Sequence, residues 1–435
     1  MTATPSPEVT RNLAAAASAA VPAPGRLESL DAFRGIIMLL MASGGLNLKS
    51  VGEAFPNNWF LGIIGPQTGH SDWLGCTFWD LIQPSFMFMV GVALPWSLAN
   101  RLARGQSKSS MMLHALWRAL ALVLLSVFIQ SYNSKPPRGI QAHTDWTFPN
   151  VLAQIGLAYP FLFLISFTKP RVQWIIAFGI LAAVWLAFAL YTPPAGLTYN
   201  ELKMDADWEH LPGFAAHWDK HLNFAGAFDR WFLNLFPRGS IDPAVQPIAD
   251  PRFYFSKGGY QTLNFIPSLS TMVFGLIAGE MLRGPLELKD KIARLSIAGV
   301  AALLAGYGLH ATGICPMIKP IWTPSFAIYS AGWVALFLAA FVAIMEWRGW
   351  KRWAFPLVVA GLNPITLYCM WQMVVGDFVR TNLKIHFGQN IFQLRKDIFH
   401  VDPAIFEQTF QRGAQLIFMW LVLWWMYRRK IFIRI

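Results

Sequence analysis

His70, Asp72 and Asp80 are the residues whose types and spacing point to chemistry. They stand in the stretch Gln67-Thr-Gly-His-Ser-Asp-Trp-Leu-Gly-Cys-Thr-Phe-Trp-Asp-Leu-Ile-Gln-Pro-Ser-Phe-Met-Phe-Met-Val-Gly91, which starts polar and runs on as an apolar helix. Ionisable groups that enter lipid are costly and normally face a cavity or a partner. A histidine titrates near neutrality, so it can take and return a proton as a general base. A neighbouring carboxylate would orient its ring and stabilise its charged form. Asp80 is better placed for this than Asp72, because it enters the apolar segment. Both also stand where aspartates cap helix N-termini. An interfacial histidine bonded to a loop carbonyl is the plain alternative for His70.

The elements that must position these groups are membrane helices. Of 435 residues, 55% are hydrophobic and 13% charged, and the mean hydropathy is +0.41. Soluble domains carry about 25% charged residues. The pattern predicts an all-α, polytopic integral membrane protein, since lipid admits only helices or closed barrels. Spans are expected over residues 33–48, 76–98, 111–131, 148–167, 172–191, 263–282, 292–311, 325–346, 353–374 and 409–427. That makes about ten to eleven helices near the ~20 residues a crossing needs.

Loop charges set an expected orientation. Arg101, Arg104 and Lys108 share a loop, as do Lys169 and Arg171, then Arg283, Lys289, Lys291 and Arg294, then Arg348, Lys351 and Arg352. The C-terminal end adds Arg428, Arg429, Lys430 and Arg434. The positive-inside rule makes these loops and both termini cytoplasmic and puts His70 outside. In a Gram-negative cell that means the inner membrane, with His70 facing the periplasm. The net charge of +12 then reflects topology, and no nucleic-acid partner is expected. Residues 1–25 read as a disordered cytoplasmic tail and 26–192 as a first transmembrane half that carries the His70 stretch. Residues 193–262 read as a long outer loop, and 263–435 as a second half with another outer loop at 376–407. Loops of such length are commonly functional.

No metal is expected. His217 and His221 lie one helical turn apart, but no glutamate stands between them as in a zinc-protease helix, and a solvated face explains them better. Cys76, Cys315 and Cys369 are odd in number and form no C-x-x-C pair. One disulfide is open to them, with buried free thiols the simpler reading. Membrane lipid is the surrounding partner, and a homodimer is left open.

Several stretches together resemble one family. They are Leu30-Asp-Ala-Phe-Arg-Gly35, the run Thr77 to Gly91, Asn150 to Tyr159, Leu263-Asn-Phe-Ile-Pro-Ser with Phe274-Gly-Leu-Ile-Ala-Gly279, Lys319-Pro-Ile-Trp-Thr-Pro-Ser325 and Gly361 to Tyr368. The chain resembles the bacterial relatives of heparan-α-glucosaminide N-acetyltransferase, a transmembrane acetyltransferase of lysosomes. The resemblance implies transfer of an acetyl group from cytosolic acetyl-CoA to an amino sugar, or another sugar amine or hydroxyl, on the outer side. It singles out His70 as base or transient acetyl carrier, with Asp80 and Asp72 in support. Arg34 would meet CoA phosphates at the inner mouth of the first helix, with Asp31 beside it counted in the donor-binding set, and a local ion pair between the two is the alternative. Arg118, Gln154, Asn264 and Asn363 are further donor-binding candidates. Snorkelling explains Arg118 equally well, and interhelical hydrogen bonds explain the three amides equally well. The family's asparagine near the end of the first helix is represented here by Gly45 at the closest register and Asn47 two residues on, so Asn47 is the substrate-binding candidate. A transporter or flippase for a sugar or lipid-linked glycan is the rival reading.

Overall fold

The computed structural model describes residues 27–134, 140–198, 201–202, 210–241, 250–373, 375–393 and 404–433. The expected N-terminal tail lies outside them. Apart from one isolated bridge between Ile140 and Ile241, the described residues are helices and their connections.

Helix α1, Glu28–Ser43, starts with Glu28 and Asp31 in its first turn, where acidic groups favour the helix dipole. It stops at a left-handed turn of four successive residues: Gly44 (φ 54°), Gly45 (φ 67°), Leu46 (φ 48°) and Asn47 (φ 58°). Non-glycine residues seldom adopt this region. Two short helices follow, α2, Leu48–Ala54, and α3, Trp59–Gln67, the latter capped by the Asn58 side chain. A 3₁₀ turn, Phe78–Leu81, then opens α4, Ile82–Ala103. The first half closes with α5, Lys108–Asn133, α6, Val151–Ile165, and α7, Pro170–Leu190.

The following connection carries the 3₁₀ turn Gly213–Trp218 and the short helix α8, Phe224–Phe232. The second half has α9, Phe265–Arg283, α10, Leu288–Ala311, α11, Pro324–Val342, α12, Phe355–Leu362, α13, Pro364–Gln372, α14, Val375–Phe387, and α15, Glu407–Arg428.

All ten expected segments contain a helix. Among the described residues seven helices, counted with their flanking turns, are long and apolar enough to cross a membrane, and α12 with α13 makes an eighth if the pair is one span. That pair bends by 70°. The break falls at Asn363-Pro364, where proline removes a helical donor and restricts the residue before it. The segment expected over 148–167 is the shorter α6, because Asn150 caps it with bonds to the Leu152 and Ala153 amides.

The helices divide into two classes. In α1, α4 and α9 about two thirds of the apolar window is buried (67%, 61% and 67%), whereas α7 and α10 bury 22% and 17%. The outer faces of α5 and α10 expose Leu113, Trp117 and Phe128, and Ile297 and Leu304. Such faces suit hydrocarbon as solvent. At the inner crossing of α4 with α9, a Cβ at Gly91 would overlap the Met272 carbonyl, and one at Gly275 the Phe88 carbonyl. Glycines here let two backbones touch, the usual means of packing helices in lipid.

Candidate active site

The loop between α3 and α4 folds around the Asp80 carboxylate. Thr77 is the N-cap of the 3₁₀ turn, and Asp80 returns the contact to the Thr77 amide, completing a capping box. Asp80 is thus the N3 partner of the box and Thr77, not an aspartate, is the N-cap; that contact does not exhaust the Asp80 side chain. Oδ2 accepts from the Ser71 amide (3.2 Å), Ser71 Oγ (2.9 Å), the Thr77 amide (3.0 Å) and Thr77 Oγ1 (3.0 Å). Oδ1 is left for His70, whose Nδ1 lies 2.7 Å away. Asp80 has no solvent-accessible surface, while the His70 side chain is half exposed. The carboxylate thus fixes the ring by one nitrogen, and Nε2 is engaged by none of the described groups.

A third group completes the cluster. Lys319 Nζ lies 3.0 Å from His70 Nδ1 and 3.3 Å from Asp80 Oδ1, and the lysine is buried. It comes from the loop before α11, which is strapped in place. The Gly75 amide donates to the Met317 carbonyl, Asn264 Nδ2 to the Pro320 carbonyl, and the Ile318 amide to Thr323 Oγ1. Lys319 was not among the sequence candidates. Its setting within Lys-Pro-Ile-Trp-Thr-Pro-Ser, too apolar for a solvated loop, was the available signal.

The long connection packs over this cluster. Trp73 Nε1 donates to the Trp218 carbonyl, and the Tyr260 ring lies 5.6 Å from Lys319 Nζ. Cys76, beside the cluster, is a half-buried free thiol. The described cysteines are all free.

Other candidates lie elsewhere. Asp72 is exposed, and its charge acts on Lys220. Asp31 and Arg34 pair with each other at 3.3 Å near the opposite end of α1 from Gly45. Arg118 stacks on the Tyr159 ring at 4.7 Å and donates to its hydroxyl. Gln154 Nε2 donates to the Phe148 and Thr262 carbonyls. Asn363 gives both polar ends to the C-terminal backbone, at the Ile431 carbonyl and the Ile433 amide. The amides therefore do not gather along one channel: Gln154 and Asn264 hold the segment near Lys319, and Asn363 holds the C-terminus. His217 Nδ1 bonds the Tyr191 carbonyl, while His221 is buried against Phe255, so the two rings part.

Asn47 accepts from Ser50 within its own turn. At Gly45 a Cβ would come within 2.8 Å of the Thr68 carbonyl, and φ is already left-handed. Glycine at that register lets the end of α1 seat against the loop that leads to His70.

Residues 26–135 match a domain of unknown function, DUF5009. The chain is also similar to heparan-alpha-glucosaminide N-acetyltransferase of Homo sapiens, 23% identical over 383 residues that take in 79% of this chain and 52% of the relative. The Mus musculus protein of that name is 22% identical over 395 residues, with 81% and 54% covered. The chain spans about half the length of the curated relatives it matches. The likeness inferred from the motifs is borne out as a distant one.

Proposed function

We propose that this membrane protein is an acyltransferase resembling those relatives, moving an acetyl group from acetyl-CoA to a sugar amine or hydroxyl across the bilayer. The observation that carries the reading is the His70–Asp80–Lys319 cluster, a half-exposed imidazole held by a buried carboxylate at the start of a membrane helix. With Nδ1–H donated to Asp80, Nε2 presents a lone pair. That nitrogen can take the proton of an attacking amine, or attack the thioester carbonyl and pass the acetyl on. Either route ends with CoA as its thiol and the acceptor acetylated.

CoA is charged and does not cross lipid, so only its acyl arm has to reach His70. Arg34, at the far end of α1, and Arg118, on α5, are the cations we assign to its phosphates. The cytosol supplies the donor, and the acceptor stays on the His70 side under the connection of residues 193–262. The bacterial inner membrane suits this division.

The test is acetyl-CoA turnover by protein purified in detergent, with glucosamine as acceptor, read as free CoA thiol and as N-acetylglucosamine by mass. Wild type should turn over and His70→Ala should lose about 10²–10⁴-fold. Equal turnover in His70→Ala, or sugar uptake by proteoliposomes with no acetyl-CoA consumed, overturns the reading.

A further inference from the structure

We propose that Lys319 is a positioning residue that disfavours a second positive charge on the His70 ring. The assignment rests on His70 acting through its neutral ring, as proposed above. The argument is one of valence at a single atom. Nδ1 lies 2.7 Å from Asp80 Oδ1 and 3.0 Å from Lys319 Nζ. It can donate to the carboxylate or accept from the ammonium, but not both at once. When Nδ1 carries the proton, Lys319 bonds Oδ1 at 3.3 Å and Nε2 is bare. When Nδ1 is bare, Lys319 caps it. A neutral ring has a partner in both states.

A protonated ring is different. Asp80 offers one negative charge, and Lys319 already matches it. Oδ2 takes the Ser71 and Thr77 donors, so the two cations would share Oδ1 alone. A second positive charge about 3 Å from the first, beside groups out of water, is disfavoured by direct Coulomb repulsion. The other groups facing this loop do not alter the sign. Cys76 feels Asp80 and Lys319 in opposite senses, Tyr260 lies over Lys319, the Lys49 stem packs against Gly69, and Asp72 faces Lys220. Asp80 alone would favour the imidazolium; Lys319 offsets it. The lysine therefore lets a carboxylate orient the ring without holding a proton on it.

The experiment compares wild type, Lys319→Met and Lys319→Arg in detergent. Diethyl pyrocarbonate modifies only neutral imidazole, and peptide mass spectrometry reads its rate at His70 against pH. Removing the ammonium should move the midpoint about one unit to higher pH, a ~10-fold slower reaction one unit below the wild-type midpoint. Lys319→Arg, which keeps the charge, should leave the midpoint where wild type has it. The acidic limb of kcat/KM for acetyl-CoA should move in parallel. A Lys319→Met midpoint that stays put or falls overturns the proposal, and so does a Lys319→Arg midpoint raised by a unit. If Lys319→Met does not accumulate, Lys319→Gln takes its place, with the same expected and overturning results. The modification needs no acetyl-CoA. Wild type that titrates as expected but releases no CoA thiol would count against the acetyltransferase reading only.

Discussion

The described residues hold two histidine–aspartate pairs of nearly the same local geometry. His70 Nδ1 lies 2.7 Å from Asp80, and His210 Nδ1 lies 2.9 Å from Asp219. In each, the ring is about half exposed (50% and 59%) and the carboxylate is buried. Each carboxylate also takes a backbone amide, that of Ser71 or of Leu211. The difference lies beyond the pair. Asp219 closes a turn in the connecting segment, with Asn223 bonding its carbonyl. Among the described residues no lysine or arginine forms an ion pair with it. Asp80 opens a membrane helix and meets Lys319 from a loop in the other half of the chain. A buried aspartate that orders a histidine is a common way to finish a loop. Coupling to a distant buried cation is what sets the first pair apart from the second.

Paired substitutions break the comparison most sharply. Asp80→Asn should cost turnover about 10²–10³-fold, because the ring loses its orienting acceptor. Asp219→Asn should leave turnover at the wild-type level. The variants should also part in stability. Asp80→Asn leaves Lys319 buried without its countercharge, a loss of about 3–5 kcal/mol, whereas Asp80→Asn with Lys319→Met removes both charges and should regain much of it without regaining activity. Thermal unfolding in detergent alongside CoA release checks both parts. Equal losses at Asp80 and Asp219 would mean that the lysine confers nothing.

A smaller effect is expected at the seat of the His70 loop. Gly45→Ala forces a side chain into a left-handed residue and toward the Thr68 carbonyl, two residues before His70. Displacing the ring by a fraction of an ångström should lower kcat about 10-fold with the fold retained, since small misplacements in a positioned site cost up to ~10²-fold. Unchanged kcat would show that the turn does not set the ring.

This contrast also explains how much was legible in the sequence. His70 and Asp80 lie ten residues apart on one loop, and the Thr77–Asp80 capping box is a local pattern, so the pair could be read directly. Helical segments were legible from hydropathy alone. Lys319 was not, because its contact with His70 spans 249 residues and depends on how α9 and α11 pack. The bend at Asn363 was signalled only by Pro364, and its 70° size is a packing outcome. Gly45 was a puzzle in sequence, where an asparagine was expected. It is ordinary in the structure, where backbone touches backbone.

The smallest expected effect concerns a buried carboxylate that lacks what Asp80 has. Asp229 is buried on α8, its Oδ2 accepts from the Thr262 amide, and its Oδ1 has no partner among the described residues. Burial pushes it up from 3.8 to about 6, against the pull of that amide. A carboxylate raised in the folded state contributes stability below about 3.8 and loses it as pH climbs toward 6. Full loss corresponds to about 3 kcal/mol, an upper figure. His221 works in the opposite sense: burial first, then Lys220 and Arg230, lower it from 6.5 to about 3. Its contribution is whole above 6.5 and is lost as pH falls from 6.5 toward 3. Asp229→Asn should therefore gain melting temperature over wild type as pH rises from 4 to 7. His221→Phe, which keeps the ring beside Phe255, should gain as pH falls below 6.5. Melting curves parallel to wild type across that range would mean that these two groups are not shielded from water in solution.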